Sequence, residues 1–204
     1  MTSRDADLAQ TGLLRRRALS LEYFTVAWCV GEVIVAFAAG VKAGSIALVA
    51  FGLDSAIEVV AAVTVLWRFK QSSLEAQRAE VRSTQVVGAT FFGLAALVSY
   101  ESVTDLYFRR APQASLPGII LAAAALLTMS LLGISKHNLG TKLNSRVLLA
   151  DSVESLACAY FSVALLLGLA LNACFRWWWA DPAAALAIAA LMVREGFETF
   201  SGGE

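Results

Sequence analysis

The sequence predicts an all-α membrane protein, a bundle of six transmembrane helices, on three observations. Hydrophobic side chains (AVILMFWYC) make up 58% of the 204 residues before any glycine is counted, and charged ones only 16%, against about 25% charged in an ordinary soluble domain. Six apolar runs each approach or exceed the length of about 20 residues that spans a bilayer. The connections between them are short, which closes the runs into one bundle without a linker. A mean hydropathy of +0.68 excludes a soluble enzyme and a disordered chain alike. The 16 basic and 16 acidic residues cancel, so no global charge points to nucleic acid. Cys29, Cys158 and Cys174 form no CxxC pair, and His137 is the single histidine. That excludes a disulfide scaffold and histidine-cluster chemistry.

The spans run in order Leu21–Gly40, Gly44–Trp67, Thr84–Phe108, Leu116–Ser135, Val147–Asn172 and Asp181–Phe197. The expected organisation is a cytoplasmic N-terminal segment over 1–20, the six-helix domain over 21–198 and a short cytoplasmic tail over 199–204. The first run follows a polar stretch containing Asp5 and Asp7, and further apolar runs succeed it. Those features fit a retained span and not a cleaved signal peptide. Leu13–Leu19, with Arg15, Arg16 and Arg17, reads as a basic interfacial lead-in to the first helix. Ser115 and Pro117 mark the start of the fourth span, and Asp181-Pro182 reads as an N-cap with proline at the first helical position.

Lysine and arginine set the orientation. One side collects Arg4, Arg15, Arg16, Arg17, Arg68, Lys70, Arg78, Arg82, Lys136, Lys142, Arg146 and Arg194. The other holds Lys42, Arg109, Arg110 and Arg176. Both termini are therefore expected in the cytoplasm, in the plasma membrane if the source is bacterial. Trp177, Trp178 and Trp179 fall where an outer aromatic belt belongs.

In this frame every basic residue lies in a loop or at a span end, whereas the acids do not. Glu32, Asp54, Glu58, Glu101, Asp151 and Glu154 lie inside apolar runs, and Glu22, Asp105 and Asp181 lie at run edges. Intramembrane carboxylates cost a few kcal/mol each and mark ion or proton paths. With no internal lysine or arginine to balance them, they either carry protons or share a cation, and both alternatives lead towards cation handling. Asp54 and Glu58 are spaced i,i+4 and share one face of the second helix. Asp151 and Glu154 are spaced i,i+3 on the fifth, and Glu154 and Cys158 i,i+4. At a rise of about 1.5 Å per residue, Asp54 lies roughly 15 Å and Glu58 roughly 21 Å below the outer edge. Glu154 lies roughly 10 Å and Cys158 roughly 16 Å above the inner edge. In a core of about 30 Å, Glu58 is then level with Glu154 and Asp54 with Cys158. Glu32 falls at similar depth. Glu101 and Asp105 sit towards the outer end of the third helix, lining an exit or solvated. Cys29 and Cys174 read as small packing residues, and His137 as solvated.

At these residues the chain resembles the cation diffusion facilitator (cation efflux) transporters. GSIALVAFGLDSAIEVVAAVTVLW, from Gly44, is similar to their second helix. SRVLLADSVESLACAYFSVALLLG, from Ser145, is similar to their fifth, and the loop before it and the Ala180-Asp181-Pro182 start also fit. The resemblance covers about residues 20–198 and implies a six-helix bundle of the cation efflux type. It implies a substrate that is a divalent metal ion, zinc, iron, manganese or cobalt, exchanged for protons. By position it assigns Asp54 and Glu58 to the metal pair of helix two. Glu154 and Cys158 stand where the helix-five motif has His and Asp, and Asp151 matches an acid just before it. Two departures are read here: the matched positions carry no histidine, and the family's cytoplasmic C-terminal domain is expected to be missing. A homodimer would then form through membrane helices.

The expected function is outward export of a divalent metal cation coupled to protons, with Asp54, Glu58, Asp151, Glu154 and Cys158 as metal-binding candidates. Metal binding releases protons from its ligands, which is the physical basis of exchange. Carboxylates suit hard cations and a Cys158 thiolate softer ones. A passive cation channel and a non-transporting membrane subunit with structural acids are the alternatives. No nucleophile–base constellation, phosphate loop or resident cofactor motif points to an enzyme.

Overall fold

The computed structural model describes residues 3–70, 74–110, 112–113 and 115–201, without the side chains of residues 3–10, 68, 70, 74–88, 90, 146, 195 and 198–201. Its elements are α1 (Ser3–Ala43), α2 (Ile46–Lys70), α3 (Leu74–Phe108), α4 (Leu116–Leu143), α5 (Arg146–Phe175) and α6 (Ala180–Ser201). The side chains of Arg4, Arg68, Lys70, Arg78, Arg82 and Arg146, and the end of the tail at 202–204, lie outside the described residues. Among the described residues, four helices are long and apolar enough to cross a membrane: Thr11–Ala43, Ile46–Trp67, Leu116–Leu143 and Val147–Phe175. Large apolar side chains such as Ile34, Leu127, Leu131 and Leu167 stand exposed on the outside of the bundle, as a lipid-facing surface requires.

The helices outrun the apolar runs at several ends, because hydrophobicity tracks the bilayer and capping groups set helix length. The expected basic lead-in at Leu13–Leu19 continues α1 without a break. Arg15 there donates to the carbonyl of Phe69 and stands over its ring at 5.9 Å, tying α1 to the end of α2. Helix α4 passes its expected end at Ser135 and stops only at Leu143. Asn144 is left-handed there, with φ 49°, and Ser145 caps α5 by accepting from the Leu148 amide. Ser115 starts α4 as expected, its hydroxyl accepting from Gly118 N at 3.2 Å.

Asp181 corrects its expected role. Helix α6 begins at Ala180, and the Asp181 carboxylate reaches across to the start of α2. It accepts from the Ser45 hydroxyl and from the Ala47 amide at 3.3 Å. Ser45 Oγ in turn accepts from Leu48 N at 3.1 Å. The orphan amides of Ala47 and Leu48 at the head of α2 are thus satisfied by Asp181 of α6 and by Ser45 just before α2.

Helix α2 is central, packing against α1, α3, α5 and α6, while α4 lies along α5 and α3 along α6. The close approaches are made at glycines. A Cβ on Gly133 would come within 2.6 Å of Leu156, and one on Gly168 within 2.5 Å of the Ala184 Cβ. Small residues that let helices approach are the usual packing device in a bilayer, where apolarity alone does not drive helices together.

Candidate functional site

Helices α2 and α5 run antiparallel through the middle of the bundle and bring their acids to one level. Asp54, Glu58 and Cys158 are buried, at 5%, 4% and 1% exposure. The Cys158 thiol adjoins both Asp54 and Glu58. Glu154 is half-buried and joins Asp54, Glu58, Ile57, Phe91 and Ala157 around a small cavity of about 10 Å³. That is about the volume of one water-sized sphere. Asp54 Oδ2 and Glu58 Oε2 accept no hydrogen bond among the described residues. An unsatisfied buried carboxylate oxygen is costly, and a cation is the partner that such an atom best accommodates. Among the described residues, no three His, Cys, Asp or Glu side chains converge closely enough to hold a metal ion as they stand. Glu58 is turned towards Ser155 instead.

Asp151, a further candidate, faces elsewhere. The expectation that no basic side chain lies inside the spans is overturned by Lys136, which is wholly buried on α4. Its Nζ lies 2.5 Å from Asp151 Oδ2 and 3.4 Å from Glu22 Oε2, and it donates to Ser155 Oγ at 3.1 Å. A lysine ammonium has three donors and no acceptor, and three groups meet it here. Ser155 Oγ in turn donates a hydrogen bond to Glu58 Oε1 at 2.8 Å. The buried acids therefore divide into a group held by Lys136 (Glu22 and Asp151) and a group around the cavity (Asp54, Glu58 and Glu154).

Glu32 sits with neither group. Trp28 Nε1 donates to its Oε1 at 2.5 Å and Ser55 Oγ to its Oε2 at 3.1 Å, so both carboxylate oxygens are engaged. Glu101 and Asp105 line a separate cavity of about 490 Å³ between the α1–α2 turn and α3, where Asp105 pairs with Arg110 at 3.4 Å. Cys29 is fully buried in the core and His137 is exposed, both as expected, whereas Cys174, expected to pack inside, is exposed close to the end of α5.

By sequence, Lys136 falls among the loop charges and Glu22 at a run edge, and Ser155 goes unnamed, although a signal exists. The buried face of α4 runs Gly118, Ala122, Ala125, Met129, Leu132, Gly133, Lys136 and Gly140. Lys136 continues that i,i+3/i+4 stripe between two glycines, which marks it as facing the bundle.

The sequence that builds these helices matches a defined family model. The cation efflux transmembrane domain model covers residues 23–202. The chain belongs to the cation efflux family. It is an integral membrane protein, and its six-helix architecture is that of the family's membrane domain. Among its relatives, transmembrane protein 163 of Xenopus laevis is 26% identical over 156 residues, covering 75% of this chain and 55% of the relative. An uncharacterized transporter of Synechocystis, sll1263, is 28% identical over 153 residues, with 71% and 49% covered. The cation-efflux pump FieF of Shewanella oneidensis is 28% identical over 131 residues, with 64% and 42% covered. The chain spans about half the length of these relatives.

Proposed function

We propose that this protein exports a divalent metal cation from the cytoplasm in exchange for protons, with Asp54, Glu58 and Glu154 as the ligands and Cys158 as a fourth. The observation that carries this reading is the pair of unpartnered buried oxygens, Asp54 Oδ2 and Glu58 Oε2, on residues that border one cavity together with Glu154. The family and the cation-efflux pump among the relatives support a metal cargo. Asp151 is proposed to act beside the site, since its carboxylate is engaged by Lys136. Zinc, iron, manganese and cobalt are the candidate ions. The acids suit the harder ones, and a Cys158 thiolate would shift preference towards zinc.

Coupling follows from the ligands. A carboxylate or thiol must lose its proton to bind metal, so binding releases protons and proton uptake releases metal. Affinity accordingly falls as pH falls. Purified protein in liposomes loaded with a metal-sensitive dye tests this directly. An imposed pH gradient is expected to drive metal uptake, and Asp54→Asn with Glu58→Gln to abolish it. Metal flux that ignores the gradient would indicate a passive channel. Unchanged metal binding in the double variant would make the acids structural and the protein a non-transporting subunit.

A further inference from the structure

The Lys136–Ser155–Glu58 chain has a direction fixed by chemistry. Lysine can only donate, so Ser155 Oγ accepts from Lys136, and towards an ionised, cation-binding Glu58 its single proton is donated to Oε1. Lys136 is itself held by Asp151 and Glu22 on two other helices. Ser155 and Lys136 are fully buried and Glu58 nearly so, which keeps this chain inside the bundle. One oxygen of Glu58 is thus engaged by a chain anchored in α1, α4 and α5. The other, Oε2, accepts nothing.

We propose that Lys136 and Ser155 are positioning residues that restrict Glu58 to binding a cation through Oε2 alone, and that this one-oxygen grip sets selectivity against large divalent ions. The proposal rests on the metal-binding reading above and deepens it. Calcium takes six to eight oxygens and gains several of them from bidentate carboxylates. Smaller transition-metal ions are satisfied by fewer ligands. With one lone pair of Oε1 engaged and the carboxylate held in orientation through Ser155, Glu58 is set to present one oxygen where calcium would use two. Neither residue touches the cation in this scheme; both act through the orientation of Glu58.

Manganese and calcium are the informative probe pair. Both prefer oxygen ligands, so their ratio reports how many oxygens are offered and not the softness of Cys158. The test is calorimetric binding of both ions to the purified full chain, to Ser155→Ala and to Asp54→Asn. Ser155→Ala removes one hydroxyl and keeps both ion pairs of Lys136. The expected result is a manganese-over-calcium preference that shrinks about five- to tenfold in Ser155→Ala, the range of one lost hydrogen bond. The metal-minus-apo infrared difference spectrum supplies a readout that a loss of packing would not move. The separation of the antisymmetric and symmetric carboxylate stretches is expected to narrow in Ser155→Ala as Glu58 turns bidentate. An unchanged preference and unchanged stretches in Ser155→Ala, with binding lost in Asp54→Asn, would overturn the positioning role and leave the transport reading standing. Binding that survives Asp54→Asn would overturn both.

Discussion

Lys136 is the residue on which the interior depends most. Its ammonium is fully buried, and so are the carboxylates of Glu22 and Asp151 beside it. Removing one partner from such a group leaves uncompensated charge in a low-dielectric interior, which typically costs about 3–5 kcal/mol. Lys136→Met keeps the stem volume and deletes the charge. The expected outcome is a large fall in thermal stability in detergent. Much of it should return when Glu22→Gln and Asp151→Asn are added, because the triple variant holds no stranded charge. A Lys136→Met protein as stable as the wild type would show that these acids do not need the ammonium. The same residue marks where sequence reading stopped. Asp54, Glu58, Glu154 and Cys158 were legible because their i,i+4 spacing interrupts apolar runs. Lys136 was not, because a lysine just beyond an apolar run looks like a topology signal until the helix is seen to continue through it.

At the scale of elements, the six helices were legible from hydrophobicity, but several of their ends were not. Apolar length reports bilayer thickness, whereas the end of α4 is decided by the left-handed Asn144 and the cap at Ser145. Asp181 shows the same division. Its sequence context fits a local cap, but its carboxylate serves the head of α2, a partner 134 to 136 residues away. No local pattern encodes that distance. Packing between elements is carried by glycine contacts, and these yield a sharp comparison. Gly168→Ala would press a methyl group to 2.5 Å from the Ala184 Cβ, an atom fixed to the backbone of α6. Overpacking of that kind costs about 1–3 kcal/mol. Gly31 on α1 has open space around its Cβ position, so Gly31→Ala should gain about 0.5–1 kcal/mol from helix entropy alone. Thermal melting of the two variants should therefore move in opposite directions. Equal shifts would mean that α5 and α6 are not in close register at Gly168.

For the molecule as a whole, the buried charges change the argument for orientation. Counted as a loop residue, Lys136 adds to the positive bias of the side that holds both termini. Buried on α4, it no longer does. The bias survives its removal, because by sequence Arg4, Arg15, Arg16, Arg17, Arg68, Lys70, Arg78, Arg82, Lys142, Arg146 and Arg194 stay on that side while the far side holds only Lys42, Arg109, Arg110 and Arg176. Arg109 and Arg176 themselves close α3 and α5 in left-handed conformation, with φ 52° and 53°. The three cysteines form a built-in reporter of the result. Cys174 is exposed near the far end of α5, whereas Cys29 and Cys158 are buried. A membrane-impermeant thiol reagent is therefore expected to label the native protein at a single position. With cytoplasmic termini, that labelling occurs in right-side-out vesicles and not in sealed inside-out ones. Cys174→Ser abolishes it, and Cys29 and Cys158 react only after denaturation. Labelling confined to inside-out vesicles would reverse the topology and with it the direction of export. Labelling of Cys158 in the native state would instead show that the Asp54–Glu58 cavity opens to water, and adding metal should then protect the thiol if Cys158 is a ligand.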